Sequence, residues 1–498
     1  MKILVVIANF GTKNDGYLSR VLSEYRSMSW QTDVVVTTNV DKSFGQGVEV
    51  LVGLPTANPH SLPFAHKRVF AERRDRYDLF IYTEDDILIT QRNIEAFLEA
   101  TRVLPSQEIA GFFRYEQYPD GKRYYPEAHD FYRWTPESVR VIGDRRFARF
   151  TNEHSGCYAV TRDQLYKAID SGGFLVAPHE HTYGLLETAA TDVYTQCGYS
   201  KVICVSHLDD FLVSHLPNKY IGSRLGLDGP DFEKQRRALL QLSPAGQANA
   251  SLLEPQSKVF HSEWSKDHYE PCRHDLIDMF PTDMRTVLSI GCGWGATEAE
   301  LAKKGVEVTA IPLDSVISAC AESRGIEVVR GNLDDAMEQL SGRQFDAVLM
   351  SGVLHLLKDP AKALDYARSA LKEGGRLVAT VPAFYRLPFL WLRIRHFPRY
   401  RGWRDFKRSG VHGIGRWQAR RLLRRAGFSV KGVSGTVLGR WTTLAASYGK
   451  LFETLFASEY TFVARRRESK AKETVGSLGP VRKGDSRNLY ATAGRRGQ

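Results

Sequence analysis

The stretch TVLSIGCGWGA, residues 286–296, decides the fold of the second half of this 498-residue chain. A mostly apolar run is followed by three glycines at alternate positions, Gly291, Gly293 and Gly295, and then by helix-forming residues. The apolar run predicts a buried strand. Glycines let the backbone approach a ligand closely, and the N–H groups that open the next helix are unpaired. The stretch therefore predicts a strand, a ligand-binding turn and a helix.

The same alternation of strand and helix continues to residue 382. The predicted strands are VEVTAI (306–311), IEVVRG (326–331), FDAVLMS (345–351) and RLVATVP (376–382). A helix is predicted after Asp359, with Pro360 at its first position and Gly374 just after its end. A helix at WQARRLLRRAG (417–427) and a strand at EYTFVARR (459–466) complete the series. This order predicts an α/β domain with a mostly parallel sheet.

These motifs resemble the class I S-adenosylmethionine-dependent methyltransferases, over about residues 259–466. Dinucleotide binding is the competing interpretation of the glycines, but the pattern VLHLLKDP…LKEGGRLV fits the methyltransferases better. The resemblance implies S-adenosylmethionine as cofactor, with its methionine part over the glycine turn and its ribose on an acid that ends the second strand. The cofactor-binding residues implied in this way are Gly291, Gly293, Gly295, Asp314, Asn332 and Ser351.

The sequence departs from that family at two of these positions. Pro312 stands where the acid after the second strand is expected, and Asp314 is the nearby substitute. Asn332 stands where an acid is expected after the third strand, with Asp334 just beyond. A domain with the methyltransferase fold but without catalytic activity is therefore an open alternative. His355 is the candidate base for an acceptor hydroxyl, because a neutral imidazole suits that task near pH 7; a packing role is the alternative.

In the first half, YDLFIYTEDDILIT (77–90) places Glu84, Asp85 and Asp86 directly after a buried strand. Three adjacent carboxylates repel one another and are costly to bury unpaired. A divalent cation would neutralise them and would also bind a diphosphate. A solvated acidic turn is the alternative. Strands at residues 3–8 and 32–39 with a helix between them predict a parallel α/β sheet here too.

This half, about residues 1–240, resembles the type A fold glycosyltransferases through the acidic motif and through NEHSGCYAVTRDQLYKAI (152–169). The resemblance implies Mn²⁺ or Mg²⁺ held by Glu84, Asp86 and His215, with His207 as the rival histidine. Asp192 or Glu187 is the implied catalytic base. The residues expected to bind a nucleotide-sugar donor are Asn9, Asp41, Lys67 and Asp85.

The net charge of +11 is concentrated in one segment. Residues 386–425 carry thirteen Lys or Arg and one Asp, a local charge of +12. Arginines alternate with aromatic and aliphatic residues there, which suits an anionic membrane surface or a lipid-linked diphosphate acceptor. Single-stranded nucleic acid is a further possibility, although no RNA-binding module accompanies the segment and nucleic acid is the less favoured partner. A basic cap over the methyltransferase pocket is the structural alternative.

The predicted organisation is two Rossmann-like α/β domains in tandem: residues 1–241, a linker at 242–258, the methyltransferase-like domain at 259–466 and a disordered basic tail at 467–498. Six cysteines without metal-site spacing suit a reducing compartment, and we expect a cytoplasmic protein at or near the inner membrane face.

The predicted function is glycosyl transfer followed by O-methylation of a glycan or glycolipid. Two alternatives stay open. One is a methyltransferase acting on nucleic acid or another acceptor, with a non-catalytic first half. The other is a glycosyltransferase with a non-catalytic methyltransferase-like domain.

Overall fold

The computed structural model describes residues 1–180, 182–244, 251–253, 264–395, 397–437 and 455–467. Most of the predicted linker and all but the first residue of the predicted tail lie outside these residues. The first half ends with a helix whose last residue is Gln241.

The first half contains fourteen strands, six α-helices and three 3₁₀ helices among the described residues. Its strands are β1 (Lys2–Asn9), β2 (Gln31–Thr38), β3 (Val48–Val52), β4 (Leu79–Glu84), β5 (Ile87–Leu88), β6 (Glu108–Ala110), β7 (Phe113–Gln117), β8 (Arg123–Tyr125), β9 (Trp134–Ile142), β10 (Arg145–Phe150), β11 (Cys157–Thr161), β12 (Ser200–Cys204), β13 (Leu212–His215) and β14 (Leu227–Asp228). Its α-helices are α1 (Asp15–Ser27), α2 (Ala65–Arg73), α3 (Gln91–Val103), α4 (Arg162–Asp170), α5 (Leu185–Thr195) and α6 (Gly229–Gln241). The 3₁₀ helices are Pro59–Phe64, Arg74–Arg76 and Leu208–Phe211.

The main sheet of the first half has the order β11-β4-β1-β2-β3. The four strands β4, β1, β2 and β3 are parallel, as predicted, and β11 joins the edge antiparallel to β4. Two further sheets, β6-β12-β10-β9 and β14-β8-β7-β13-β5, were not predicted. Apart from the nine-residue β9, their strands have two to six residues, and parallel and antiparallel pairs are mixed, so these strands carry no clear strand–helix alternation in the sequence.

The second half contains seven strands and nine helices among the described residues. The strands are β15 (Thr286–Cys292), β16 (Glu307–Pro312), β17 (Glu327–Val328), β18 (Phe345–Met350), β19 (Leu371–Pro382), β20 (Phe428–Thr436) and β21 (Glu459–Arg466). The helices are α7 (His274–Ile277), α8 (Ala296–Lys303), α9 (Ser318–Glu322), α10 (Leu333–Gln339), α11 (Pro360–Ala370), α12 (Leu387–Arg395), α13 (Phe397–Tyr400), α14 (Phe406–Ser409) and α15 (Arg416–Arg425).

The seven strands form one sheet with the order β17-β16-β15-β18-β19-β21-β20. The five strands from β17 to β19 are parallel, and β21 is antiparallel to both of its neighbours. Strand β15 lies near the centre, so its carboxyl end, the glycine turn, opens at the middle of the sheet edge. The predicted α/β class of this half is confirmed.

Two boundaries differ from prediction. Helix α11 ends at Ala370 rather than before Gly374, because the chain already pairs as strand β19 from Leu371. Gly374 (φ +71°) instead lies in an irregular part of β19, where the pairing shifts between Leu371 and Arg376. The strand predicted at 326–331 is reduced to Glu327–Val328.

One hydrophobic core runs through both halves. It joins Phe113 and Trp134 of the first half to Leu288 and Ile290 of β15. Helix α6 contributes Phe232 to this core, where its ring stacks on Tyr125 at 3.7 Å between centroids. The two halves therefore share buried apolar surface, whose removal from water is the main stabilising contribution to folding.

Among the described helices, none combines the length and the apolar character that crossing a bilayer requires.

Candidate functional site

The glycine turn after β15 is packed by the chain itself. Gly291 (φ +88°) and Gly295 (φ +84°) take backbone conformations that side chains disfavour. At Gly293 a Cβ atom would lie 2.4 Å from the carbonyl oxygen of His268, so only glycine fits. The close approach predicted for a ligand at this position is therefore made by the segment 264–273, which precedes β15.

The segment 264–273 brings an ion pair between buried Lys266 and half-buried Glu270 into the cavity beside the turn. The cavity is lined by Lys266, Glu270, Ser289, Gly291, Gly293, Trp294, Gly295, Ala296, Thr297, Glu298, Leu349 and Ser351. Lys266 Nζ bonds to the Glu270 carboxylate, which also accepts from Ser351 Oγ at 3.1 Å. Burial opposes both charges, but their mutual attraction outweighs it: the pKa of Lys266 is raised and that of Glu270 lowered. Both groups are therefore charged at neutral pH.

A second carboxylate, Glu298, lies under the turn. Its Oε1 accepts a hydrogen bond from Ser289 Oγ at 2.6 Å, and both residues are buried. Sequence reasoning missed Glu270, Lys266 and Glu298. The position of Glu298 in the first turn of α8 was the available signal, whereas Lys266 and Glu270 reach the cavity only through the path of the chain.

Asp314, the predicted substitute, lies two residues beyond Pro312, which ends β16, and it is buried. Its Oδ1 accepts from the N–H groups of Val316 and Ile317 at 2.8 Å each, which caps the turn after the strand. Its Oδ2 has no hydrogen-bond donor and lies 3.5 Å from Nε2 of His268. This oxygen has the acceptor chemistry that a ribose hydroxyl needs, but Asp314 is not among the residues that line the cavity.

The side chains of Asn332 and His355 form hydrogen bonds with backbone groups outside the cavity. The Asn332 side chain is exposed and caps α10 by accepting from the N–H groups of Asp334 and Asp335, and it does not line the cavity. His355 is buried and donates from Nε2 to the carbonyl oxygen of Trp264 at 2.6 Å, which leaves Nδ1 without a partner. Burial lowers the pKa of His355 to about 4. It is therefore neutral near pH 7, with a free lone pair but weak basicity.

Comparison with known proteins identifies this half. The family model for a methyltransferase domain matches residues 288–379. The ubiquinone biosynthesis O-methyltransferase of Xylella fastidiosa is 31% identical over 208 residues, which is 38% of this chain and 82% of that protein. The chain belongs to the S-adenosylmethionine-dependent methyltransferase family. The matched part is the second half, hereafter the methyltransferase domain.

Other relatives match shorter parts. An uncharacterized methyltransferase of Mycobacterium bovis is 33% identical over 113 residues, which is 22% of this chain and 55% of that protein. The solved structure of a methyltransferase from Methanosarcina mazei has 19% identity and a TM-score of 0.31, and the match covers 40% of this chain and 99% of that one.

In the first half, the three acids at the end of β4 (Glu84, Asp85 and Asp86) are neutralised in three different ways. Asp85 accepts from Nδ2 of Asn9 at 2.6 Å and of Asn14 at 2.8 Å, although burial still raises its pKa to about 6. Asp86 lies 3.5 Å from Nε2 of His215, whose attraction outweighs burial and lowers the pKa of Asp86. For Glu84, burial and then the charge of Asp86 raise the pKa to about 8, so it holds its proton at neutral pH.

His215 is held by a further acid that was not predicted. Its Nδ1 donates to Glu116 at 2.5 Å, while its Nε2 faces Asp86, so both ring nitrogens are in use. Across the described part of the chain, no three His, Cys, Asp or Glu side chains form a group that could hold a metal ion. Asp86 and His215 are thus brought together as predicted, but as an ion pair. His207 instead contacts Ser206, 3.0 Å away.

The acids and bases expected around the donor are dispersed. Lys67, predicted to face a diphosphate, forms a buried ion pair with Asp192, which was a predicted base; His179 Nε2 lies 3.4 Å from the same carboxylate. Glu187, the other predicted base, is half-buried in the first turn of α5. Asp41 is exposed after β2, and its neighbour Lys42 instead reaches Asp15 at 2.7 Å.

The Lys67–Asp192 pair predicts a structural role for Asp192. Replacing Asp192 with Asn leaves the Lys67 ammonium buried without its counter-charge, and we expect the free energy of unfolding to fall by about 3–5 kcal/mol. Adding Lys67→Met to the same chain should restore most of that loss. Urea unfolding of the full chain measures both, with Glu187→Gln as the control that changes stability by less than about 0.5 kcal/mol. A loss of activity in Asp192→Asn without any loss of stability would contradict this role.

Proposed function

We propose that the chain joins two transferases: a first half that moves a sugar from a nucleotide-sugar donor, and a methyltransferase domain that O-methylates the glycan or glycolipid product. The observation that carries the methyl transfer is the charged Lys266–Glu270 pair beside the glycine turn. The relative in Xylella fastidiosa is named for O-methylation, which supports oxygen as the methylated atom. Tethering gives the second reaction a high effective concentration of the first product.

Four side chains of the methyltransferase domain fit the parts of the cofactor. The Lys266 ammonium suits the α-carboxylate, and Glu270 with Ser351 suits the α-ammonium, so the ion pair would be exchanged for two matched contacts. The free Oδ2 of Asp314 suits a ribose hydroxyl. S-adenosylmethionine supplies an electrophilic methyl group when bound. His355, with its free Nδ1, is the proposed proton acceptor for the hydroxyl, and its low pKa keeps it unprotonated over the physiological range.

Glu270 gives the sharpest test of these contacts. Glu270→Gln in the full chain removes the charge that would face the α-ammonium, and we expect the Kd of S-adenosylhomocysteine to rise roughly 10- to 100-fold by isothermal titration calorimetry. Glu459→Gln is a matched control, because Glu459 also binds Arg273 and its side chain is 22% exposed against 21% for Glu270. If Glu270→Gln and Glu459→Gln bind S-adenosylhomocysteine equally well, Glu270 does not contact the cofactor.

The proposed glycosyl transfer is supported by oxygens that lack donors at the acidic motif. Oδ1 of Asn9, Oε1 of Glu84 and Oδ1 of Asp86 are buried without a hydrogen-bond partner, near the carboxyl ends of β1 and β4. Ligands of open parallel sheets bind at this edge. Mg²⁺ is commonly held by one or two carboxylates together with substrate phosphates, so Asp86 would suffice as the protein ligand for a cation that arrives with a nucleoside diphosphate. Glu187 is the proposed base, since Asp192 is paired.

A thermal-shift series on the full chain tests this half. UDP, GDP and CMP are each added with and without Mn²⁺, and one nucleotide should raise the melting temperature only with the metal. A ligand at 100 times its Kd adds about 2.7 kcal/mol. Asp86→Asn should abolish the shift, and Asp209→Asn, a change at an exposed ion pair with Arg123, should keep it. If no nucleotide raises the melting temperature while S-adenosylhomocysteine still binds, the proposed glycosyl transfer is contradicted and only the proposed methyl transfer stands.

We further propose that the segment 384–425 touches an anionic membrane surface. The structure divides its apolar residues into two groups. Phe384, Phe389, Tyr400 and Trp403 form a small core with Trp264. Leu387, Trp391, Ile394 and Phe397 are exposed by 43%, 59%, 78% and 65% and lie among arginines. Lipid interfaces accept both kinds of side chain, whereas the phosphates of nucleic acid offer nothing to exposed Leu and Ile.

Vesicle sedimentation of the full chain tests this contact. We expect binding to vesicles that contain phosphatidylglycerol and little binding to phosphatidylcholine alone. Trp391→Ser with Ile394→Ser should weaken binding at least fivefold, because both side chains are exposed. Leu175→Ser with Leu225→Ser removes exposed apolar residues from the first half and should have no effect. Binding to RNA in preference to vesicles, with a steep salt dependence, would favour the nucleic acid alternative.

A further inference from the structure

Helix α6, the last helix of the first half, lies against the methyltransferase domain close to the glycine turn. Its buried Gln235 contacts Sγ of Cys320 in α9 at 3.8 Å and accepts from the hydroxyl of Tyr269 at 3.3 Å. Phe232 and Leu239 of the same helix lie in the core that both halves share. These contacts hold the amino-terminal end of α6 beside α9.

At that end, Asp231 of the first half forms an ion pair with Arg324 of the methyltransferase domain at 2.9 Å. The pair is largely withdrawn from solvent, with 18% and 23% of the two side chains exposed. Arg324 is the residue that connects α6 to the cofactor cavity. Its other guanidinium nitrogen donates to the carbonyl oxygens of Trp294 and Cys320 at 2.9 Å each, and its charge lies 4.9 Å from the centre of the Trp294 ring.

Trp294 is the residue between Gly293 and Gly295, so its position sets that of the turn. It is held on its other side by the segment 264–273: its N–H donates to the carbonyl of His268 at 2.9 Å and its indole Nε1 to that of Glu270 at 2.7 Å. The N–H of His268 in turn donates to the carbonyl oxygen of Asp130, in the first half, at 2.8 Å. The turn is therefore held from two sides, by Arg324 and by the segment 264–273, and each of these is bonded to a residue of the first half.

We propose that the first half positions the cofactor-binding turn through Asp231 and Arg324, so that cofactor affinity depends on contacts across the boundary between the two halves. A charge-assisted contact orients a guanidinium more tightly than a neutral one. When Asp231 no longer holds it, Arg324 loses its fixed direction. Trp294 then loses both the N–H group that donates to its carbonyl oxygen and the cation over its ring. Asp231 and Arg324 are positioning residues in this proposal. The proposal rests on cofactor binding at the glycine turn.

A double-mutant cycle on the full chain tests the proposal, with the Kd of S-adenosylhomocysteine measured by calorimetry. Asp231→Asn and Arg324→Gln should each weaken binding about tenfold. The double variant should bind no more weakly than Arg324→Gln alone, because the other partner of the Asp231 carboxylate, Lys234 at 2.8 Å, lies on α6 itself and does not reach the turn. Glu233→Gln is the control: it lies on the same helix and pairs with Arg236 and Arg237, away from the turn. It should bind like the unmodified chain.

The melting temperature without cofactor separates positioning from general stability. Asp231→Asn should melt within about one degree of Glu233→Gln while binding the cofactor product more weakly. Equal affinity in these two variants, or additive losses in the double variant, would overturn the proposal. Failure of the unmodified chain to bind S-adenosylhomocysteine would instead refute the cofactor site itself, so the two failures are distinguishable.

Discussion

The contact between Gly293 and the carbonyl of His268 is the constraint on which the methyltransferase site depends. No side chain fits at position 293, because its Cβ would lie 2.4 Å from that oxygen. The segment 264–273 can therefore lie directly on the turn, where its carbonyls bind Trp294 and its side chains Lys266 and Glu270 enter the cavity. The same segment is bonded to Asp130, so the geometry of the cavity involves both halves of the chain.

The two candidate sites keep buried charge in different ways. In the methyltransferase cavity, Lys266 and Glu270 neutralise each other and remain ionised. Exchanging such a pair for a zwitterionic ligand keeps both charges compensated, which limits the desolvation cost of binding. At the end of β4, in contrast, Asp85 is compensated by two amides, Asp86 by His215, and Glu84 by its own proton. Carboxylates in this condition respond strongly to an arriving cation, because added positive charge lowers their pKa values.

The fold of the second half was largely predictable, because its strands are apolar runs separated by helices with recognisable caps. Asp359 and Pro360 start α11 as expected. The end of that helix was misplaced because Gly374 normally marks a helix end, and here it permits an irregularity within β19. The two further sheets of the first half, in which parallel and antiparallel pairs are mixed, escaped prediction, since strands as short as Arg123–Tyr125 have no periodicity to detect. Some of their pairings also join strands far apart in the chain, such as β6 with β12 and β7 with β13.

The sequence by itself determined that the second half is an α/β domain with a glycine turn at the end of a strand, because periodicity, caps and glycines are local properties. It also located the acids at the end of β4 and predicted that Asp86 and His215 lie close together, as ligands of one metal ion. Only the tertiary structure decided which groups meet: Lys67 with Asp192, His215 with Glu116, and Arg324 with Asp231. These pairs are separated by 125, 99 and 93 residues. Electrostatic contacts of this kind act over a few ångströms of space, and no local pattern in the chain records them.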